Sequence, residues 1–245
     1  MEGKLRSLDS ITTILFDLDG TLRHSRPSFA ETFISRAVQL GAPNSEEYHR
    51  RATRWLHYYW AQSTDLLADR QVYQDEETFW TNHARLFLIN LGSTPEQAQN
   101  LAPELYRYYI NDFDPEDWVP PDVPETLQTL EDTGYKLGVV SNRSQSYQEQ
   151  LEDLGLDGYF QCAIAAGEVN SWKPDPMIFQ HALDELDSQP EKTVYVGDNY
   201  YADVVGAQRA GLQPILVDPQ SLFPEAGCQV IRSVGELIDR LPQKQ

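Results

Sequence analysis

Residues 11–21 have the sequence ITTILFDLDGT, and this stretch decides how the chain is built. Six largely apolar and β-branched residues followed by Asp and Gly predict a buried strand that ends in a loop. From residue 119 onward the pattern alternates between strand and helix. The predicted strands are 136–141, 162–165, 193–196 and 214–217, and the predicted helices are 144–154, 176–186 and 202–210. This alternation predicts an α/β fold, a Rossmann-like, doubly wound parallel sheet that the first strand also joins.

The segment between the first strand and the alternating region has a helical pattern throughout. Helix-start signals precede apolar positions at helical spacing, so we expect four helices in a small bundle. The predicted starts lie near Ser28, Asn44, Asp75 and Thr94. The domain prediction is therefore an α/β core formed by 1–22 and 119–245, with 23–118 inserted as a helical-bundle domain.

The composition is that of an acidic globular protein. Hydrophobic residues make up 40% and charged residues 23%, which predicts an ordered core. The net charge is −19, with 19 Lys and Arg residues and no dense basic run, so nucleic acid is not expected as a partner. No apolar run has the length of a signal peptide or membrane span, and the two cysteines lack ligand-like spacing. We expect a reduced, cytoplasmic setting without membrane attachment.

Asp17 and Asp19 lie two positions apart at the end of the first strand, so their side chains should point the same way. Two neighbouring carboxylates repel each other, which should raise the pKa of one of them. One could then stay ionised as a nucleophile while the other carries a proton. A plain turn is the alternative. A calcium-binding loop fits less well, because it needs further ligands and a Glu near its twelfth position.

Further polar groups follow later strands or lie in a nearby loop. Ser141 and Asn142 end a strand and could donate hydrogen bonds to phosphate oxygens, although the pair is also common in turns. Lys173 lies in the proline-stiffened loop SWKPDP. Asp198 ends another strand and could complete an oxygen site for Mg²⁺, while Asp203 falls in the first turn of the next helix. Ligands of open α/β sheets bind at the carboxyl ends of strands, so these groups should converge.

In this order the four groups resemble the motifs of the haloacid dehalogenase-like hydrolase superfamily. The similar residues, from the first motif to the fourth, are Asp17-Leu18-Asp19-Gly20-Thr21, Ser141-Asn142, Lys173, and Gly197-Asp198 with Asp203. The resemblance covers the first 22 residues and about 119–218, and it includes the segments 152–160 and 204–212 between motifs. The helical insert corresponds in position and length to the family's helical cap of the first type. The resemblance implies the predicted α/β core. Within the family, it points to the phosphatase branch.

The resemblance implies a phosphoryl-transfer mechanism. Asp17 would attack phosphorus and form an aspartyl-phosphate, and Asp19 would protonate the leaving alcohol and then activate water. The aspartate at position 19 favours phosphate esters over halides, because a halide leaving group needs no proton.

The resemblance also implies the binding groups. Mg²⁺, the expected cofactor, would be held by Asp17, the backbone carbonyl of Asp19, and Asp198. Asp203 would support the metal through water or orient Lys173. The phosphoryl group would be bound by Ser141, Asn142 and Lys173.

We therefore predict a Mg²⁺-dependent phosphomonoester hydrolase acting on a small metabolite such as a sugar phosphate, phosphoglycolate or a nucleotide. A phosphomutase of the β-phosphoglucomutase type is the alternative enzyme, and a module that binds without turnover is the alternative class. Arg23 and His24, directly after the first motif, are candidate substrate contacts. The many aromatic residues of the insert are expected to form the bundle core rather than a surface that stacks on a nucleobase. The sequence does not determine the substrate or the oligomeric state.

Overall fold

The computed structural model of the chain describes residues 8–242. These residues fold as two compact units: one runs to His24 and resumes at Asp117, and the other is Ser25–Glu116. The strands are β1 (Thr13–Phe16), β2 (His24–Arg26), β3 (Glu116–Trp118), β4 (Lys136–Ser141), β5 (Cys162–Ala165), β6 (Thr193–Gly197), β7 (Gln213–Val217) and β8 (Gln229–Ile231). The chain passes between the units within β2 and β3, which pair as a two-stranded sheet.

Eleven α-helices are present among the described residues. They are α1 (Phe29–Gln39), α2 (Glu46–Trp60), α3 (Thr64–Val72), α4 (Glu76–Asn90), α5 (Pro95–Asn111), α6 (Asp122–Asp132), α7 (Gln148–Asp153), α8 (Ala166–Val169), α9 (Pro176–Glu185), α10 (Val205–Arg209) and α11 (Leu237–Arg240). None of the helices within 8–242 combines the length and apolar character that a membrane span requires.

The larger unit is built on a six-stranded parallel sheet with the order β5-β4-β1-β6-β7-β8. Alternate residues of a strand face opposite sides, and the two sides bury different clusters. In β1, Ile14 and Phe16 join the cluster covered by α6, α7 and α11, while Leu15 joins the cluster covered by α8, α9 and α10. Helices therefore pack on both faces, which confirms the predicted doubly wound α/β fold.

The unit Ser25–Glu116 is entirely helical apart from the short strands at its ends. It contains five helices rather than the expected four, because the nine-residue α3 was not predicted. Ser63 caps α3 by accepting a hydrogen bond from the backbone N–H of Leu66. The cap of α2 is Ser45 rather than Asn44. The aromatic rings of Trp55, Trp60 and other insert residues pack in or against the bundle core.

Two other boundaries differ from the sequence prediction. Helix α7 begins at Gln148, not 144, because the carbonyl of Arg143 accepts a hydrogen bond from the Gly167 N–H and holds the preceding residues as a loop. The helix expected at 202–210 is a π-helical turn at Tyr200–Val204 followed by α10. Beyond the last predicted strand, β8 and α11 complete the sheet edge and one helical layer.

Candidate active site

The carboxyl ends of three neighbouring strands bring the predicted groups together. Strand β1 lies between β4 and β6, and all three run parallel. Asp17 follows β1, Ser141 ends β4, and Asp198 follows β6. The strand order reverses at β1, which is where open α/β sheets form a ligand crevice.

Lys173 stands at the centre of this group. Its ammonium donates hydrogen bonds to Asp17 Oδ1 at 2.6 Å, Asp203 Oδ1 at 2.8 Å and Tyr195 Oη at 2.8 Å. Three bonds saturate an ammonium group. Burial opposes the charge, but Asp17 and Asp203 outweigh it and raise the pKa of Lys173 above its usual range. Lys173 is therefore a fixed buried cation.

Asp17, Asp198 and Asp203 form an acidic cluster beside this cation. One carboxylate oxygen from each lies within 4.8 Å of the others. Burial is the main reason that the pKa of Asp17 is raised, with Asp203 and Asp19 adding to it and Lys173 opposing it. Burial raises the pKa of Asp198 well above its usual range, with Asp17 and Asp203 adding to it and Lys173 opposing it. The cluster is costly to ionise unless a further positive charge is present.

The donor set fits a hard divalent cation such as Mg²⁺, which prefers carboxylate and carbonyl oxygens. The backbone also approaches the cluster closely at Gly20, whose φ is +89°. A Cβ there would lie 2.5 Å from Asp198 Oδ2, so only glycine leaves the space. Both carboxylate oxygens of Asp203 already accept hydrogen bonds, one from Lys173 and the other from the Asn199 N–H at 2.8 Å.

Asn142 is brought to the same place but is oriented differently from our expectation. Its side chain accepts a hydrogen bond from the Lys173 N–H at 2.7 Å and donates one to the Lys173 carbonyl at 2.9 Å. The Asn142 amide thus clamps the backbone of Lys173, and phosphate binding by that amide stays a prediction. Tyr195, which we did not predict, fixes the other end of Lys173 and donates to the Val140 carbonyl at 2.9 Å. A tyrosine within the apolar strand sequence TVYVG was the available signal.

Asp19 belongs to a second, outer cluster. Arg143 holds both of its oxygens, with Nε 2.8 Å from Oδ2 and Nη2 2.8 Å from Oδ1. Arg23 Nη1 donates to Oδ1 at 2.8 Å. Both arginines continue into a network in which Arg23 pairs with Asp117, and Gln150 bridges Arg143 and Asp117.

Repulsion between Asp17 and Asp19 is not the main cause of their pKa shifts, in contrast to the expectation from the sequence. Burial opposes ionisation of Asp19, but the hydrogen bonds and charge of Arg143, with help from Arg23, lower its pKa below the usual range. The carboxyl with the raised pKa is Asp17, and burial is the main cause. Arg143 directly follows the predicted Ser-Asn pair, and its position was the only sequence signal for this role.

The two candidate substrate contacts are placed differently. Arg23 reaches Asp19, as described, while the His24 ring lies 5.8 Å from the Trp118 ring between centroids. Whether either contacts a substrate stays a prediction.

Comparisons with known proteins identify the family of the chain. A family model described as haloacid dehalogenase-like hydrolase matches residues 11–211. The chain is 31% identical over 217 residues to the glyceraldehyde 3-phosphate phosphatase of Methanopyrus kandleri, with 84% of each chain covered. It is 28% identical over 213 residues to the ribulose-1,5-bisphosphate 5-phosphatase of Halopiger xanaduensis, with 85% of each covered.

A solved structure is similar over nearly its whole length. The crystal structure of a HAD phosphatase from Thermococcus onnurineus has a TM-score of 0.56 and 27% identity, and the match covers 96% of this chain and 99% of that one. The sequence and structure matches therefore span both segments of the α/β unit and the helical insert.

Proposed function

The chain belongs to the haloacid dehalogenase-like hydrolase family, and on that premise we propose that it hydrolyses small phosphomonoesters through an aspartyl-phosphate on Asp17. The observation that carries the proposal is the 2.6 Å ion pair between Lys173 and Asp17, at the edge of a buried carboxylate cluster. This arrangement offers a nucleophilic oxygen and a fixed cation to one phosphoryl group. Phosphoryl transfer depends mainly on such positioning and charge neutralisation.

The residues act in two displacements. An Asp17 carboxylate oxygen attacks phosphorus, and the bond from phosphorus to the ester oxygen breaks. Asp19 takes up a proton from water as it leaves the guanidinium contacts that lower its pKa, and it donates this proton to the departing oxygen, so the alcohol leaves neutral. Asp19 then takes a proton from water, the water oxygen attacks phosphorus, and inorganic phosphate leaves with Asp17 regenerated.

The remaining groups hold the phosphoryl oxygens and the charge. Lys173 and the Ser141 hydroxyl bind phosphoryl oxygens, Asn142 fixes the Lys173 backbone, and Asp203 orients the Lys173 ammonium. Asp17, the Asp19 carbonyl and Asp198 would hold Mg²⁺. When bound, that ion supplies positive charge against the entering and leaving oxygens.

The proposed substrates are small phosphorylated metabolites such as sugar phosphates. The two curated relatives described above are named for phosphatase activity on compounds of this class, which supports the phosphatase branch of the family. The net charge of −19 disfavours nucleic acid as a substrate. We further propose a cytoplasmic location, where such metabolites are found.

Hydrolysis of para-nitrophenyl phosphate tests the proposal. Wild type should turn over with Mg²⁺ and lose activity with a chelator, and Asp17→Asn should lose it under both conditions. Asp153→Asn, an exposed acidic position on α7, is the matched control and should behave as wild type. Circular dichroism verifies folding of each variant. A folded wild type without turnover of any small phosphate ester would overturn the hydrolase proposal.

The phosphomutase alternative gives a different product. A mutase would interconvert sugar phosphates in a reaction that needs catalytic sugar bisphosphate and would release little inorganic phosphate. Phosphate release in step with loss of the ester favours the hydrolase.

A further inference from the structure

The carboxylate of Asp19 is held from two sides by permanent cations. Arg143 makes a bidentate contact with both oxygens, and Arg23 adds a third hydrogen bond, each at 2.8 Å. Bidentate guanidinium–carboxylate pairs are among the stronger polar contacts in proteins. These two arginines therefore orient Asp19, and the family resemblance did not predict this role for them.

The outer cluster is balanced in charge and open to solvent. Two arginines face two aspartates, and Gln150 joins Arg143 to Asp117. The four charged side chains are 16–38% exposed, so a solute can reach them. A carboxylate or phosphate from solution can replace Asp19 at a guanidinium without leaving a buried charge unpaired.

The proposed reaction brings the leaving alcohol to this cluster. Asp19 must hydrogen-bond the ester oxygen, so the alcohol portion lies beside the guanidinium groups of Arg143 and Arg23. To do so, Asp19 has to give up part of its contact with them. A neutral alcohol portion replaces none of the lost contact, whereas an anionic one takes Asp19's place at the guanidinium. The exchange then costs little and leaves Asp19 free to face the ester oxygen.

We infer that Arg143 and Arg23 form a leaving-group subsite that selects phosphomonoesters whose alcohol portion carries a second anionic group, a carboxylate or a phosphate. This inference rests on the proposed function and narrows its substrate class. The planar guanidinium fork matches both anions, and Arg143 already presents it in bidentate geometry to a carboxylate. Arg143 and Arg23 act here as specificity-determining residues.

Three phosphate esters that share a two-carbon alcohol portion test the subsite. The alcohol portion carries a carboxylate in carboxymethyl phosphate and a second phosphate in ethane-1,2-diyl bisphosphate. In the reference, 2-hydroxyethyl phosphate, it carries a neutral hydroxyl. Wild type should show a kcat/KM at least about tenfold higher for one or both anionic esters, the scale of one added charge-assisted contact. The preferred ester distinguishes carboxylate from phosphate as the natural group.

Two variants assign the preference to the subsite. Arg143→Gln should bring the ratio of anionic to neutral kcat/KM close to one. Arg209→Gln removes the same charge from an exposed position on α10 and should keep the wild-type ratio. A wild-type ratio near one overturns the inference while leaving hydrolysis of all three esters, and hence the proposed function, intact. A ratio that persists in the double variant Arg23→Gln with Arg143→Gln also overturns it.

Binding provides a readout that does not depend on turnover. By calorimetry with Mg²⁺, 3-phosphonopropionate or propane-1,3-diylbisphosphonate should bind wild type at least about tenfold more tightly than 3-hydroxypropylphosphonate, whose second group is a neutral hydroxyl. Arg143→Gln should remove the difference. Equal affinities of wild type for all three phosphonates would overturn the subsite even if every ester were hydrolysed. If no ester is hydrolysed, the proposed function fails and the three phosphonates still decide whether the anionic subsite exists.

Discussion

The inner cluster is Lys173 with its three neighbouring carboxylates, and the outer cluster is the group around Asp19. Each contains one aspartate of the first motif, yet they differ in burial and in charge balance. The ion-paired side chains of the inner cluster, Lys173 with Asp17 and Asp203, are at most 9% exposed. The outer cluster around Asp19 is 16–38% exposed. An unpaired charge is costly when buried and cheap when hydrated. The inner cluster is therefore fixed, and the outer one can exchange partners.

The charge balance differs in the same direction. One ammonium faces three carboxylates in the inner cluster, while two guanidiniums face two carboxylates in the outer cluster. The inner cluster thus has an excess of negative charge that a divalent cation can neutralise, whereas the charges of the outer cluster already balance. Two aspartates only two residues apart can therefore serve different chemistry, because their surroundings differ.

The largest expected effect is that of removing the inner cation. Lys173→Met should lower kcat/KM by about a thousandfold or more, since charge stabilisation of the phosphoryl group is lost. It should also lower the free energy of unfolding by about 3 kcal/mol, the scale for breaking a buried pair. Arg143→Gln, in the outer cluster, should cost about 1 kcal/mol or less.

Urea denaturation and steady-state kinetics measure these effects. Lys192→Met, at an exposed position, controls for the loss of a lysine. Equal stability losses for Lys173→Met and Arg143→Gln would show that the two clusters do not differ in how tightly they hold their charges.

The second effect concerns the close approach of Gly20 to Asp198. Gly20→Ala places a Cβ 2.5 Å from the carboxylate and should lower activity by about a hundredfold, the scale of a small misplacement at a reacting site. The Mg²⁺ concentration for half-maximal activity should rise. Gly155→Ala is the matched control, because Gly155 also has positive φ but no atom within 4 Å of the added Cβ. The same Mg²⁺ dependence in both variants would show that backbone strain alone is responsible.

The third effect concerns His83, a buried titratable group in the helical unit. His83, in α4, lies among the rings of Trp55, Tyr59, Trp60 and Trp80, and neither ring nitrogen has a hydrogen-bond partner among the described residues. Burial lowers the pKa of His83 to about 3. Unfolded histidine titrates near 6.5, so as pH falls below that value the unfolded state binds the proton first. Stability should therefore fall by about 2 kcal/mol between pH 7.5 and 5 from this group alone.

Urea denaturation at the two pH values tests this effect. His83→Phe should reduce the loss on acidification by about the same 2 kcal/mol. His181→Gln replaces a partly exposed histidine of α9 and should keep the wild-type response. An unchanged acid response in His83→Phe would contradict the assignment.

The smallest effect separates two buried tyrosines. Tyr195→Phe removes a hydrogen bond to Lys173 and should lower kcat by about tenfold with little change in KM, since one charge-assisted contact is worth about 1.5–3 kcal/mol. Tyr147→Phe is the control, because Tyr147 donates to the carbonyls of Val139 and Ile164. Equal kinetic losses would indicate that both act only by supporting the sheet.

Much of the fold could be predicted from local pattern. β4–β7 were expected within one residue of their observed bounds and β1 within two, because buried parallel strands have continuous apolar runs bounded by Gly, Asp and Asn. The misses have local causes as well. Helix α3 is short, and α7 starts late because a backbone bond between Arg143 and Gly167 holds its predicted first turn as a loop.

The candidate site was predicted less evenly. Asp17, Ser141, Lys173, Asp198 and Asp203 are gathered where strand order placed them. The contacts of Arg143, Tyr195 and Asn142 did not follow from the sequence, because each depends on side-chain direction across different strands.

The sequence alone predicted the α/β order, the insertion of helices after the first strand and the polar residues at strand ends, and its motifs indicated the family by resemblance. The strand-helix order, the helical insertion and the polar strand ends follow from periodicity and spacing, which act over a few residues, whereas the family follows from the resemblance of the motifs. Only the tertiary structure decided which cation each aspartate meets. Lys173 is 156 positions from Asp17, and Arg143 is 124 positions from Asp19. Ion pairing depends on distance and burial in space, and a linear pattern does not specify either.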